Sequence, residues 1–163
     1  MRQQTYHRTG LRRMKVEVKT FQQLEPEELY KVLQLRSEIF VVEQECIFLD
    51  QDGKDQRALH ALGWEGDELV AYARIFGPGD YFSDASIGRV AVRESSRGRG
   101  LGIQIMEESI TAARKRFGAT KIALSAQKYL EHFYTDLGFI SEGEEYLEDG
   151  IPHIRMVMPA AND

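Results

Sequence analysis

The sequence has few features of a disulfide scaffold, a membrane protein or a nucleic-acid-binding protein. One cysteine in 163 residues, Cys46, excludes an intrachain disulfide framework and a multi-cysteine metal site. No apolar run approaches the ~20 residues of a membrane-spanning helix, and the N-terminus lacks the apolar segment of a secretory signal. The net charge of −5 gives no basic field for nucleic acid. We therefore expect a globular protein of the cytoplasm, with neither membrane nor nucleic-acid partners.

The chain also lacks internal repeats and linkers, which indicates a single domain with a substantial core. The segment from Met1 to Arg13 is polar and basic and does not resemble part of a core. We expect residues 1–13 to form a flexible extension and residues 14–160 to form the domain. A nucleic-acid-binding arm is the less favoured alternative for the extension.

The most informative stretch is residues 86–110, which reads as a strand, a glycine-rich turn and an amphipathic helix. The turn is Arg97-Gly98-Arg99-Gly100-Leu101-Gly102. A glycine-rich turn that opens a helix presents free backbone N–H groups at the positive end of the helix dipole, and this favours phosphate. Glycine also lets the backbone approach a pyrophosphate closely.

Two common phosphate-binding patterns do not fit this turn. The P-loop needs Gly-Lys-Ser/Thr, whereas the chain has Leu101-Gly102-Ile103. The dinucleotide pattern G-x-G-x-x-G fails because Ile103 or Ile105 takes its last position. The remaining pattern is Arg97-x-x-Gly100-x-Gly102 directly after an apolar strand. A surface turn without a ligand is the alternative.

Periodicity predicts the element order β, α, β, β, β, α, β, α, β, β, and hence a mixed sheet with helices on its faces. A helix begins at residues 24–28 and continues to Phe40, and another follows the glycine-rich turn and ends at Gly118. Strands are expected at 57–64 and 67–76, joined by a hairpin turn, and at 121–127. The last strands are expected at 139–140 and 153–158, with 143–152 as an acidic connection.

The segment from Val41 to Asp55 is irregular and rich in carboxylates. A calcium loop is excluded because Phe48 stands where the first ligand would be. We expect a solvated surface loop with at most a weak preference for cationic ligands. Cys46 has no histidine partner in its sequence neighbourhood, so we expect a small buried side chain rather than a nucleophile.

A second motif, Phe133-Tyr134-x-x-Leu137-Gly138-Phe139, follows the strand at 121–127. The two motifs, in this order, resemble those of the GNAT N-acetyltransferase family, over about residues 14–159. Three further stretches resemble its ElaA-type branch: Leu35-Arg36-x-x-x-Phe40-Val41-Val42-Glu43-Gln44, Asp52-Gly53-x-Asp55 and Glu148-Asp149-Gly150-Ile151-Pro152-His153. The resemblance implies an α/β fold with a mostly antiparallel sheet of six to seven strands flanked by helices, and it allows a homodimer.

The resemblance further implies an acyltransferase that moves the acetyl group of acetyl-CoA directly to a primary amine of a small molecule, peptide or protein, without a metal. A backbone N–H near residues 90–92 would polarise the thioester carbonyl, and this strand would pair with the pantetheine arm. The implied cofactor-binding residues are Val90, Ala91, Val92, Arg97, Gly98, Arg99, Gly100, Leu101, Gly102, Gln127 and Tyr134.

Tyr134 is the implied proton donor to the leaving thiolate, because a phenol with a pKa of about 10 is protonated at neutral pH. Packing on the helix face is the alternative role for this side chain. Glu43, Asp52 and His60 are candidate bases. For His60, the alternative is a position in the core. Deprotonation of the amine through water chains is the alternative to a single base. The rival function is a non-catalytic acyl-CoA-binding sensor or interaction module, which would not need Tyr134.

Overall fold

The computed structural model describes residues 14–118 and 120–161. The strands are β1 Lys15–Thr20, β2 Leu59–Glu65, β3 Glu68–Phe76, β4 Ala85–Val92, β5 Ile122–Gln127, β6 Ile140–Glu148 and β7 Ile151–Met158. The helices are α1 Pro26–Arg36, α2 Leu101–Phe117 and α3 Glu131–Asp136. All seven strands form one sheet in the order β1-β2-β3-β4-β5-β7-β6, in which only β4 and β5 pair in parallel. The predicted fold class is confirmed, while the extension expected at 1–13 lies outside the described residues.

The core lies on both faces of the sheet. Helix α2 covers one face, where Ile105 and Met106 are fully buried in a cluster with Ile75 and Ile87 of the strands. Helix α1 covers part of the other face through a smaller cluster that includes Leu35. Burial of each such side chain contributes roughly 1.5–3 kcal/mol. Helices α1 and α2 therefore pack mainly on strands β1 to β4 and leave strands β5 to β7 largely free for contacts with other elements.

The first helix is longer than the periodicity predicted. Helix α1 continues into a π-helical segment, Ser37–Glu43, so the start of the stretch expected to be irregular is helical. A widened π turn rotates the following side chains relative to an α-helix. It buries Ile39 and leaves Glu43 on the wall of a large cavity.

The acidic connection predicted at 143–152 is wrong: most of it is strand. β6 and β7 form a hairpin in which Tyr146 pairs with His153 and Glu148 pairs with Ile151. The turn is Asp149-Gly150, with φ of 51° and 75°, as the tight hairpin turn requires. The acidic residues lie on an edge strand that is mostly exposed, and for that reason they do not prevent strand formation.

The pairing of strand β4 is irregular on both of its sides. Its register against β3 changes from Arg74↔Gly88 to Tyr72↔Ala91, so β4 contains one extra residue there. Arg89, in this bulge, has a left-handed φ of 49°. On its other side β4 pairs with β5 only at Ala85 and Ser86. Beyond those residues the two parallel strands diverge.

No helix within residues 14–118 and 120–161 combines the length and apolar character that a membrane crossing would require.

Candidate active site

The divergence of β4 and β5 opens a cavity of about 700 Å³, within the range of small-molecule sites. One wall is the free edge of β4, residues 90–92, which had been predicted to contact a cofactor. Gln127, at the end of β5, lies on the same cavity and donates its amide to Gln44 Oε1 at 3.2 Å. Splayed strands leave unpaired backbone groups that an elongated ligand can use.

The glycine-rich loop borders this cavity at the N-terminus of α2. Gly98 and Gly100 have φ of 79° and 78°, a left-handed conformation that strains any residue with a Cβ. The Gly100 carbonyl accepts the first helical bond, from Gln104 N at 3.1 Å. Among the described residues, the amides from Gly98 to Ile103 donate no hydrogen bond. The loop therefore presents several N–H groups to an anion.

Gly102 serves packing rather than backbone conformation. A Cβ at this position would lie 3.4 Å from Phe133 Cζ and 3.8 Å from Val92 Cγ2. The small residue thus brings the first turn of α2 against α3 and β4. The loop motif and the Phe133-Tyr134 motif, separate in sequence, meet here.

The two loop arginines differ in position. Arg97 lies on the cavity, where its Nε donates to the Val92 carbonyl at 3.0 Å and its Nη2 donates to Glu43 Oε2 at 2.8 Å. Arg99 instead pairs with Glu65 at 2.6 Å and does not line the cavity. Of the two guanidinium groups, only that of Arg97 is placed to meet a ligand in the cavity.

Tyr134 lies on the cavity although it is only 6% exposed. Its ring packs edge-on against Phe133 and Phe139, at centroid distances of 5.0 and 6.0 Å. Burial, with a smaller effect from Tyr129, raises the pKa of the hydroxyl well above its ordinary value. Among the described residues, the hydroxyl has no hydrogen-bond partner. It is thus a protonated group with an unused donor beside the cavity.

The structure encloses His60 and does not bring it to the cavity. Its Nδ1 lies 2.6 Å from the Tyr72 hydroxyl, and its Nε2 lies 2.9 Å from the Asp55 carbonyl. Burial lowers the pKa of this imidazole. Of the two roles considered for His60, the position favours the core role, because a fully buried imidazole with both nitrogens bonded has no access to a substrate amine.

The acidic segment is not a solvated surface loop. Asp50 and Asp55 are buried, and each contacts the fully buried Arg36 at 2.8 Å. Arg74, also buried, pairs with Asp55 and with both oxygens of Asp52. Buried charges of this kind are stable only when paired and hydrogen-bonded. The charges were visible in the sequence, but their pairing over 14 to 22 residues of separation was not.

This network also accounts for the ionisation of Asp52, one of the candidate bases. Burial alone would raise its pKa, but the hydrogen bonds and charge of Arg74 outweigh burial and lower the pKa to about 2. A carboxylate held in this way is a poor proton acceptor. Asp52 lines the cavity as part of a rigid wall.

Cys46 is half-buried, not enclosed as expected, and its Sγ lies 3.7 Å from the Asp149 carbonyl. This contact joins the acidic segment to the β6–β7 turn across the cavity mouth. The segment at 47–49 exposes two aliphatic side chains, Ile47 and Leu49, to solvent.

A further group of residues on the cavity has a different composition, and no role in the site was predicted for it from the sequence. Glu148 and His153 face the cavity from the last hairpin, and Ser125 does so from β5. Phe48, Tyr81 and Phe82 add aromatic surface. Within the part of the chain that the structure describes, no cluster of His, Cys, Asp and Glu has the form of a metal site.

The family model described as Acetyltransferase (GNAT) domain matches residues 41–160. The chain belongs to this family. A relative, Protein ElaA of Escherichia coli, is 45% identical over 136 residues, which cover 82% of this chain and 89% of ElaA. The UPF0039 protein sll0451 of Synechocystis is 38% identical over 138 residues, covering 84% and 90% of the two chains.

Two solved structures support the GNAT assignment. An acyl-CoA N-acyltransferase from Pseudomonas aeruginosa superposes with a TM-score of 0.85 at 40% identity, covering 89% of this chain and 99% of that one. The crystal structure of Escherichia coli ElaA superposes with a TM-score of 0.84 at 41% identity and the same coverage. The predicted resemblance to the family and to its ElaA-type branch is confirmed.

Proposed function

We propose that this protein is an acetyl-CoA-dependent N-acetyltransferase that transfers the acetyl group directly to a primary amine. The observation that carries the proposal is the Tyr134 hydroxyl, a protonated and unpaired donor that lies on the same cavity as the glycine-rich loop. The P. aeruginosa relative is called an acyl-CoA N-acyltransferase, and this supports an acyl-CoA as the donor substrate.

The residues present fit coenzyme A. The amides from Gly98 to Ile103, without acceptors among the described residues, suit a pyrophosphate, and Arg97 lies where it can reach the phosphate oxygens. The free edge of β4 suits an amide-bearing arm such as pantetheine. Bound acetyl-CoA would supply the activated thioester, and an N–H near residues 90–92 would polarise its carbonyl.

In this proposal Tyr134 donates its proton to the thiolate that leaves when the amine attacks. A raised pKa keeps the phenol protonated until the thiolate forms. Glu43, a candidate base, is paired with Arg97 at the cofactor end of the cavity, and we assign it no proton-transfer role. A reducing compartment such as the cytoplasm is also proposed, on the basis of a single cysteine.

The Tyr134→Phe variant tests the proposal because it removes the hydroxyl and preserves the packing of the ring. We expect turnover of an amine that the wild type acetylates to fall by ~10²-fold or more, with unchanged affinity for acetyl-CoA. The matched control is Tyr30→Phe, an exposed tyrosine on α1. Unchanged turnover in Tyr134→Phe would instead favour a protein that only binds acyl-CoA.

A further inference from the structure

The β6–β7 hairpin brings two polar side chains, Glu148 and His153, to the wall of the cavity. His153 Nε2 lies 3.2 Å from Glu148 Oε2, and both side chains line the cavity. Ser125 donates its hydroxyl to the same Glu148 oxygen at 3.2 Å. The Tyr146 ring stacks on the imidazole at a centroid distance of 6.1 Å. The arrangement is thus built by three strands and fixed on several sides.

The hydrogen bonds fix the tautomer of His153. Its Nδ1 lies 2.7 Å from the Ile151 carbonyl, which only accepts, so Nδ1 carries a proton. In the neutral imidazole, Nε2 then has a lone pair directed at the Glu148 carboxylate. Two acceptors this close repel each other unless a proton lies between them. The pair is therefore a site that gains a hydrogen bond when it takes up one proton.

Ion pairing leaves Glu148 available to a cationic ligand. Four cations line the cavity: Arg74, Arg89 and Arg97 are each paired with a carboxylate, and Lys54 Nζ lies 4.5 Å from the centroid of the Tyr81 ring. Glu148 contacts no charged group except His153 among the described residues. Its carboxylate is half-exposed on the cavity and contributes, after burial, to the raised pKa of the neighbouring Tyr81. An ammonium beside this carboxylate would have an anion as its partner, because the cation already at the Tyr81 ring, Lys54, forms no ion pair with Glu148.

We propose that the Glu148–His153 pair binds the ammonium group of the acceptor and takes its proton, an assignment that rests on the function proposed above. The acceptor class is a primary alkylamine with an apolar or aromatic body, since Phe48 and Phe82 line the same part of the cavity.

The proton balance is complete with the groups named. An ammonium N–H bond breaks as its proton moves to the half-exposed Glu148 carboxylate, which passes the proton to His153 Nε2 across the 3.2 Å contact, so that a carboxylate–imidazolium pair results. The amine lone pair forms the C–N bond to the thioester carbon, the C–S bond breaks, and the thiolate takes the Tyr134 proton. The amide nitrogen loses its second proton, which restores Tyr134 through solvent, and His153 releases its proton. The products are the amide, the free thiol and one proton.

Two nearly isosteric amines separate proton removal from other roles. At neutral pH phenethylamine is an ammonium, whereas O-benzylhydroxylamine is already a free base. For His153→Gln we expect kcat with phenethylamine to fall ~10²-fold and kcat with O-benzylhydroxylamine to fall less than ~10-fold. For Glu148→Gln we expect the KM of phenethylamine to rise ~10-fold, with little change for the neutral amine. His132→Gln and Glu144→Gln, exposed positions on α3 and β6, are the matched controls.

Acetyl-CoA affinity is measured in parallel for every variant, so that a failure of the proposed acceptor site can be distinguished from a failure of the proposed function. Equal losses on both amines would overturn the role of the pair, because a purely structural effect does not depend on the charge of the acceptor. If the wild type binds acetyl-CoA but acetylates neither amine, the proposed acceptor class is wrong. If the wild type does not bind acetyl-CoA, the proposed function itself fails. If His153→Gln does not fold, the Glu148→Gln variant still tests the role of the pair, because a substitution at this half-exposed side chain is expected to leave the fold intact.

Discussion

The guanidinium of Arg74 holds both carboxylate oxygens of Asp52, at 2.9 and 2.8 Å. This contact ties strand β3, where Arg74 is buried, to the acidic segment that forms one wall of the cavity. Asp55 accepts from Arg74 as well as from Arg36, so the wall is held by a connected set of charges. The wall of the candidate active site is thus held by ion pairs that extend from the cavity into the core.

Replacement of Arg74 by methionine is expected to destabilise the fold strongly. It leaves Asp52 and the buried Asp55 with fewer cations, and loss of one partner from a buried pair costs ~3–5 kcal/mol. Urea denaturation measures the change. In the control, Arg93→Met, the half-exposed pairs with Glu68 and Glu38 are lost, and a change of ~0–1 kcal/mol is expected. Equal unfolding midpoints for the two variants would contradict a stabilising network.

Stability should fall in acid as Asp52 and Asp55 become protonated. Burial alone would raise both pKa values. Arg74 lowers the pKa of Asp52 to about 2 in spite of burial, and Arg36 and Arg74 lower the pKa of Asp55. Because these folded-state values lie below the ordinary carboxyl pKa of ~4, the stabilisation is complete above pH ~4 and is lost as pH falls towards 2. Unfolding midpoints measured from pH 6 to pH 2.5 test this, and an Asp52→Asn variant should show a shallower decline. A decline as steep as that of the wild type would show that Asp52 does not contribute.

The sequence indicated the parts of the site that are local. The turn from Arg97 to Gly102, the strand before it and Tyr134 on a helix are each encoded within a few residues, and the structure places all of them on one cavity. The element order indicated a mixed sheet with helices on its faces, and the resemblance to the family implied that the sheet is mostly antiparallel. Asp149-Gly150 was a readable hairpin signal, but the surrounding acidic residues suggested a loop.

Contacts between residues that lie far apart in the chain could not be predicted from the sequence. The pairing of Arg36 with Asp50 and Asp55 depends on how a helix and a loop pack, and nothing in their separation specifies it. The meeting of Glu148 with His153 required the register of the hairpin. The location of His60 inside the core, with both nitrogens bonded, likewise depends on groups supplied by β3 and the acidic segment.

Gly102 should tolerate alanine but not valine. A Cβ there makes ordinary contacts with Phe133 and Val92, and alanine favours a helix over glycine by up to ~1 kcal/mol. The branched methyls of valine would extend into the same side chains and displace the first turn of α2. We expect Gly102→Ala to match or exceed the wild-type melting temperature and to bind acetyl-CoA, and Gly102→Val to bind poorly. Normal binding by Gly102→Val would show that this turn is not packed as described.

Neutralising Glu43 should strengthen acetyl-CoA binding. Glu43 pairs with Arg97 at 2.8 Å, so the Glu43→Gln variant releases the arginine and removes a negative charge beside the proposed pyrophosphate site. The pair is partly exposed, which limits its contribution to ~0–1 kcal/mol and the expected gain to about 2–5-fold in affinity. Glu65→Gln frees Arg99 in the same way but away from the cavity and should change nothing. Equal effects of the two substitutions would rule out a ligand contact by Arg97.

The most direct test of the account is calorimetric titration of the wild-type protein with acetyl-CoA, beside Gly100→Glu. Gly100 has a left-handed φ and open space around it, so the new carboxylate would face the bound phosphates. Gly143→Glu, on edge strand β6 and also at a left-handed glycine with open space, controls for backbone strain. The account predicts binding by the wild type and Gly143→Glu and a large loss of affinity in Gly100→Glu. No binding by the wild type at millimolar acetyl-CoA, or full binding by Gly100→Glu, would contradict it.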